Sequence, residues 1–176
     1  MNDTIITRPA KPFYYLDIAR ATAARSNCIN KHWGAIIVKD DEIISTGYNG
    51  APRGRINCCD LGYCYRIKAQ IPRGTQYETC RSVHAEANAI ISASRKDMLH
   101  STMYIYGWDV VYNRIVTKPD SCMMCKRMII NAGIDEVIFA DPDGFNFNSD
   151  YGFGYRSQLV QKWVEDDDMP VYGQGY

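Results

Sequence analysis

Apolar side chains recur at helical spacing between Phe13 and Ser26: Phe13, Leu16, Ala19 and Ala23 fall three or four residues apart, with Ala24 next to the last. Pro12 stands just before them, where proline opens a helix. Residues 1–11 read as a loose tail. Trp33-Gly34-Ala35-Ile36-Ile37-Val38 is a continuous apolar run of strand length, Lys39-Asp40-Asp41-Glu42 a turn, and Ile43-Ile44-Ser45-Thr46 the returning hairpin strand. Glycines and Pro52 mark Gly47 to Gly54 as loop. Residues 55–80 hold four cysteines and follow no clear period. Alanine and isoleucine dominate a helix expected from Arg81 to about Arg95. Met103 to Tyr106 reads as a strand, and Trp108 to Lys118 as a long connection. A helix is expected from Cys122 to about Ala132, where Gly133 ends it. Glu136 to Ala140 is another strand. Asp141 to Tyr155 reads as loop, Arg156 to Val164 as a short helix and Met169 to Tyr172 as a weak last strand. A hairpin followed by alternating helices and strands predicts an α/β protein, a central mixed sheet of about five strands covered on both faces.

The length, 176 residues, suits a single domain spanning 1–176. Lysine plus arginine equals aspartate plus glutamate, 20 against 20. That balance disfavours nucleic acid or an anionic membrane as the main partner, while leaving room for a basic pocket around one phosphate. No secretory signal stands at the start and no apolar run is long enough to cross a bilayer, so a cytoplasmic protein is expected, or one of the host cytoplasm if viral. Seven cysteines, two of them in Cys122-Met123-Met124-Cys125, then favour reduced thiols and metal over disulfides.

The chemistry centres on His84-Ala85-Glu86 and on Cys122-x-x-Cys125. One imidazole and two thiols give zinc three ligands and leave a fourth position for water. Cys122 and Cys125 share a helix face, and at a helix start the dipole and free amides favour thiolates. Ser121 is a candidate N-cap there. His84 and Glu86, two apart, converge only where the chain is turning into a helix, which places the metal between two helix N-termini. Glu86 then acts as proton carrier and not as ligand. Each piece has a plainer meaning alone: a core histidine, a redox pair or half of a structural zinc knot, a glutamate compensating a helix dipole. Together, His-x-Glu followed by Cys-x-x-Cys is the zinc-deaminase arrangement.

The chain resembles the zinc-dependent cytidine and deoxycytidylate deaminases. The likeness is carried by His84-Ala85-Glu86-Ala87-Asn88-Ala89-Ile90, by Cys122 to Cys125 with Ile129-Ile130-Asn131-Ala132-Gly133-Ile134, and by Gly34-Ala35-Ile36-Ile37-Val38 with Gly47-Tyr48-Asn49-Gly50. The last stretch is similar to the deoxycytidylate branch. In place of the family's usual proline before the first cysteine stands Ser121. The resemblance implies a three-layer α/β/α cytidine-deaminase-like fold. It also implies hydrolytic deamination of dCMP to dUMP and ammonia, supplying dUMP for dTTP synthesis. Zn²⁺ would be held by His84, Cys122 and Cys125, with Glu86 catalytic. The backbone of Ala85 would hold the base, Asn49 the deoxyribose, and Ser26 would lie near the 5′-phosphate.

The resemblance further implies a homo-oligomer, commonly a hexamer, activated by dCTP and restrained by dTTP. Gly47, Tyr48, Asn49, Gly50 and Arg53 are the candidate effector residues; a plain turn with solvated arginines is the other reading. A second, structural zinc is implied for Cys59, Cys64 and Cys80 with Cys28 as fourth ligand, Cys58 competing with Cys59 and buried free thiols being the alternative. Other functions open to the sequence are a dCTP or bifunctional deaminase, an editing deaminase on single strands, a thiol oxidoreductase, and a non-catalytic zinc or nucleotide-sensing module. The last has no use for Glu86.

Overall fold

The computed structural model describes residues 8–72 and 75–166. Helix α1 (Lys11–Ala23) packs on strand β1 (Lys31–Lys39), which pairs antiparallel with β2 (Glu42–Tyr48). The insertion follows with two single-turn helices, α2 (Cys58–Leu61) and α3 (Tyr65–Lys68), and a 3-10 turn, Tyr77–Thr79. Next come α4 (Ala85–Ile91), α5 (Arg95–Met98), β3 (Ser101–Asp109), β4 (Arg114–Ile115), α6 (Met123–Ala132) and β5 (Ile134–Asp141). Strands β6 (Phe145–Asn148) and β7 (Phe153–Leu159) and helix α7 (Val160–Glu165) complete the described chain.

Among the described residues, seven strands form one mixed sheet in the order β2-β1-β3-β5-β7-β6, with β4 attached to β3. The β3–β5 pair is parallel, and the other named pairs are antiparallel. Ala35, Ile37, Met103, Ile105, Val137 and Phe139 turn to the face covered by α4, α6 and α7. Their neighbours Ile36, Val38, Tyr104, Tyr106 and Ile138 turn to the α1 face, against Phe13, Leu16 and Ala19. Both faces of β1 are therefore covered, and its apolar run does not alternate.

Two glycines set how closely the layers approach. A Cβ on Gly34 would lie 2.2 Å from the Ala19 carbonyl oxygen in α1. A Cβ on Gly47 would lie 2.3 Å from both the Ala85 carbonyl oxygen and the Ala89 nitrogen in α4. Gly47 is thus the seat of α4, the helix that begins at His84.

The sheet is wider than the expected five strands. The segment 141–155, expected as loop, contains β6 and the start of β7, and β7 pairs with β5 along its length. Phe145 and Phe147 alternate with Asn146 and Asn148, but the stretch is only four residues long and both rings stand exposed on an edge strand, so the alternation marks no buried face. The helix expected from Arg156 is correspondingly shorter, because residues 156–159 belong to β7. The connection 108–118 carries β3 to Asp109 and then β4. The helix expected over 81–95 breaks at Ser92–Ser94, where Ser94 caps α5 by accepting from the Asp97 amide. The weak strand at 169–172 lies outside the described residues.

Candidate metal centre and active site

His84 and Cys122 are the N-cap residues of α4 and α6, and both have extended backbone, φ −71° ψ 156° and φ −67° ψ 161°. An N-cap residue is only half inside its helix, so its side chain leaves at an angle that an interior residue cannot take. This is how His84 and Glu86, two apart, face one place. Cys125 follows Cys122 by one turn and joins it on the same side. His84 Nδ1 lies 3.4 Å from the sulfur of Cys122 and 3.4 Å from that of Cys125. The three donor atoms lie within 4.8 Å of one another and form the one metal-competent group found among the described residues.

The donor set fits zinc. Bonds of about 2.0–2.1 Å to nitrogen and about 2.3 Å to sulfur, at tetrahedral angles, give a nitrogen–sulfur edge of about 3.5 Å. Charge is arranged to match. A hydrogen bond from Cys125 lowers the Cys122 thiol well below its ordinary value, against the opposing effect of burial, with the His84 imidazole adding to the lowering. The proton retained between the sulfurs raises the Cys125 thiol, and burial raises it further. Contact with Cys122 raises the His84 imidazole against the opposing effect of burial. The first thiolate therefore forms readily, and the second needs a metal ion to replace its proton.

Glu86, at the second position of α4, is 8% exposed, and its Oε1 accepts a hydrogen bond of 3.0 Å from Ser121 Oγ. Ser121 is not the expected helix cap: Cys122 holds that position, without a side-chain cap bond. His84, Ala85, Glu86 and Cys122 line a cavity of about 290 Å³. Ala85, first residue of α4, brings to this wall one of the amides that have no acceptor within a helix.

The insertion forms another wall of the same cavity through Arg66 and Tyr77. Tyr77 stands edge-on to the His84 ring, centroids 5.3 Å apart at 88°. The Arg66 guanidinium lies 4.8 Å from the centre of the Tyr77 ring and donates to the carbonyls of Pro72, Thr75 and Gln76 and to the Thr79 hydroxyl. Cohesion here comes from one side chain reaching many acceptors, so hydrophobic periodicity gave no sign of it. Neither residue stood out in the sequence.

The other expected residues divide. Asn49 lines the cavity and is buried; its Oδ1 accepts from Ser26 Oγ (2.6 Å) and the Trp33 amide (2.7 Å), while its Nδ2 donates to the Lys31 carbonyl (2.9 Å). Ser26 supports Asn49 and is not among the cavity-lining residues. In the glycine-rich segment, Gly47 is taken up by packing, and Gly50 exchanges backbone hydrogen bonds with Val83. Tyr48 and Arg53 remain open to solvent.

The second zinc set does not assemble. Cys28, Cys64 and Cys80 lie along one cavity, but no three of the Cys28, Cys59, Cys64 and Cys80 sulfurs come within 4.8 Å of one another. Cys59 is exposed and turned to the Asp60 carboxylate at 3.6 Å. The buried neighbour is Cys58, whose thiol is raised by burial and by the charges of Cys28, Cys80 and Cys64. The short helix α2 decides which of two adjacent cysteines points inward, and adjacency in sequence could not.

Residues 10–141 match the model of the cytidine and deoxycytidylate deaminase zinc-binding region. The chain belongs to this family. Among its deaminase relatives, the deoxycytidylate deaminase of Mycobacterium phage D29 is 35% identical over 138 residues, 76% of this chain and 97% of the relative. That of Schizosaccharomyces pombe is 34% identical over 75% of this chain, which spans 37% of the relative's length. The crystal structure of dCMP deaminase from cyanophage S-TIM5 in apo form superposes with a TM-score of 0.53 and 26% identity, covering 83% of this chain and 95% of the other. The fold is accordingly cytidine-deaminase-like, and the His84, Cys122, Cys125 triad is the zinc site of a deaminase-family hydrolase. The β6–β7 hairpin and α7 lie beyond the family match. No helix among the described residues is long and apolar enough to cross a membrane.

Proposed function

We propose that the chain deaminates dCMP hydrolytically, giving dUMP and ammonia. The observation that carries this reading is the buried Glu86 carboxyl beside three zinc-ligating atoms at the wall of one cavity. A structural zinc site needs no proton carrier, and a redox Cys-x-x-Cys needs no histidine between its sulfurs. The choice of deoxycytidylate follows the relatives named deoxycytidylate deaminase.

Bound zinc would polarise a water and lower its pKa, making it nucleophilic at neutral pH. Glu86 carries protons one at a time: its carboxylate takes one from the attacking water and gives it to the pyrimidine ring nitrogen, then takes the second, from the hydroxyl added at C4, and gives it to the amine, which leaves as ammonia while the C4 carbonyl forms. The Ala85 amide would bind the base, and the remaining N–H of Asn49 Nδ2 the deoxyribose. Asn49 suits that task because Ser26 and Trp33 fix its carbonyl and thereby its orientation. Ammonia release from dCMP, dCTP, deoxycytidine and CMP, compared in one assay, tests the reading. Turnover of dCMP well above the other three is expected; preference for the nucleoside or triphosphate would overturn the substrate assignment. The same reading carries dCTP and dTTP as effectors near Tyr48 and Arg53, and a homo-oligomer. Sedimentation and turnover with and without each nucleotide test both.

A further inference from the structure

We infer that Ser121 is a positioning residue for Glu86, fixing the carboxyl that moves the proton. The inference rests on the deaminase reading above. Ser121 Oγ donates to Glu86 Oε1 at 3.0 Å, and the two groups are 4% and 8% exposed. A carboxyl and a hydroxyl this deeply buried are costly when unpaired, so each holds the other in place. The serine hydroxyl is free for the task because Cys122, not Ser121, is the N-cap of α6 and receives no side-chain cap bond.

Ser121 is itself held by a strap of anchored residues. The Val116 amide donates to the Gly107 carbonyl, and the Lys118 amide donates to Asp141 Oδ1. Pro119 is fully buried and its carbonyl accepts from Arg156. Asp120 pairs with Lys126 at 2.9 Å across the first turn of α6. The donor is thus fixed by a rigid segment and not by a mobile loop. A glutamate side chain has three rotatable bonds, and a carboxyl that must serve two successive proton transfers gains from losing that freedom beforehand. Ser121 binds one oxygen and leaves the other unheld by it. Proline at this place, the usual residue of the family pattern, has no donor and cannot make this bond.

The test compares the zinc-loaded wild type with Ser121→Ala and Ser121→Thr. Ser121→Ala should keep full zinc and its KM for dCMP while kcat falls about ten- to a hundredfold, a part of the roughly 10²–10⁴-fold that a well-positioned acid–base group contributes. Ser121→Thr, which keeps the hydroxyl, should recover most of kcat. Crystal structures of the same proteins provide a readout that needs no turnover: Glu86 should leave its position in Ser121→Ala and keep it in Ser121→Thr. An unchanged kcat with Glu86 unmoved in Ser121→Ala overturns the inference. So does loss of zinc, or a fall that Ser121→Thr does not repair, because either marks a purely structural role. A wild type that deaminates no cytosine compound defeats the deaminase reading instead, and the Glu86 position in the two variants still decides the contact.

Discussion

His84 and Cys122 hold the same place on two different helices, each the N-cap, with Nδ1 and Sγ 3.4 Å apart. The metal site is therefore built where two helix beginnings meet. Unpaired amides and positive dipole ends favour thiolate and carboxylate there. The same geometry lets one turn of each helix add a further group, Glu86 on α4 and Cys125 on α6.

Gly47→Ala should damage the site without touching it. The new methyl would meet the α4 backbone at 2.3 Å, and neither Ala85 nor Ala89 can yield alone. Overpacking of this kind costs about 1–3 kcal/mol, and rigid backbone on the far side puts it at the upper end. A fall in Tm together with reduced kcat is expected in thermal unfolding and steady-state assays. A variant with wild-type Tm and kcat would show that α4 seats elsewhere.

Zinc affinity should rise with pH. The Cys125 thiol and the His84 imidazole both hold protons above their ordinary values, and these must leave before all three atoms bind metal. Calorimetric titration in two buffers of different ionisation enthalpy should show proton release on zinc uptake. Chelation should lower Tm, since the metal binds the folded chain. Affinity that is flat from pH 5 to 8 would contradict the shared-proton picture.

Asp109 and Lys31 supply a pH-dependent contribution to stability. Burial works against the Asp109 charge, but the Lys31 ammonium and the amides of Tyr112 and Val111 outweigh it and hold the carboxyl below its ordinary value. A depressed carboxyl stabilises fully above its unfolded pKa of ~3.9 and loses that effect as pH falls through its folded value. Asp109→Asn should therefore cost about 1–3 kcal/mol at pH 7. The difference from wild type should shrink below pH 4 in denaturant titrations. A constant difference across that range would show that the charge is not what matters.

Arg66→Ala should loosen the insertion wall. It removes the donor to Pro72, Thr75, Gln76 and Thr79 and the cation on Tyr77, leaving the zinc ligands in place. A rise in KM exceeding any fall in kcat is the expected signature of lost substrate positioning. Equal effects on both parameters would point to a disturbed metal site.

The metal ligands and the buried carboxyl beside them were legible because their spacing has few geometric solutions: His-x-Glu can converge only at a helix start. Strands β1, β3 and β5 were legible because both their faces are buried and their runs are apolar. The β6–β7 hairpin was hidden for the opposite reason. Its Phe145 and Phe147 face solvent, Asn146 is left-handed at φ 55°, and Gly154 admits the Gly144–Phe145 backbone too closely for a side chain. Such edge structure is fixed by pairing with β7, and its four-residue Phe-Asn alternation is too short and too solvent-exposed to mark a strand. The choice between Cys58 and Cys59 and the roles of Arg66 and Tyr77 depend on tertiary contacts across the insertion. Ser121 stood out as a departure from the family pattern, but only the fold reveals what its hydroxyl holds.

The most direct test measures ammonia release from dCMP alongside zinc content in wild type and Glu86→Gln. Wild type should turn dCMP over with one zinc at the His84 site. Glu86→Gln should keep that zinc and lose nearly all turnover. Normal deamination by Glu86→Gln, or a zinc-loaded wild type inert towards dCMP, would contradict the account.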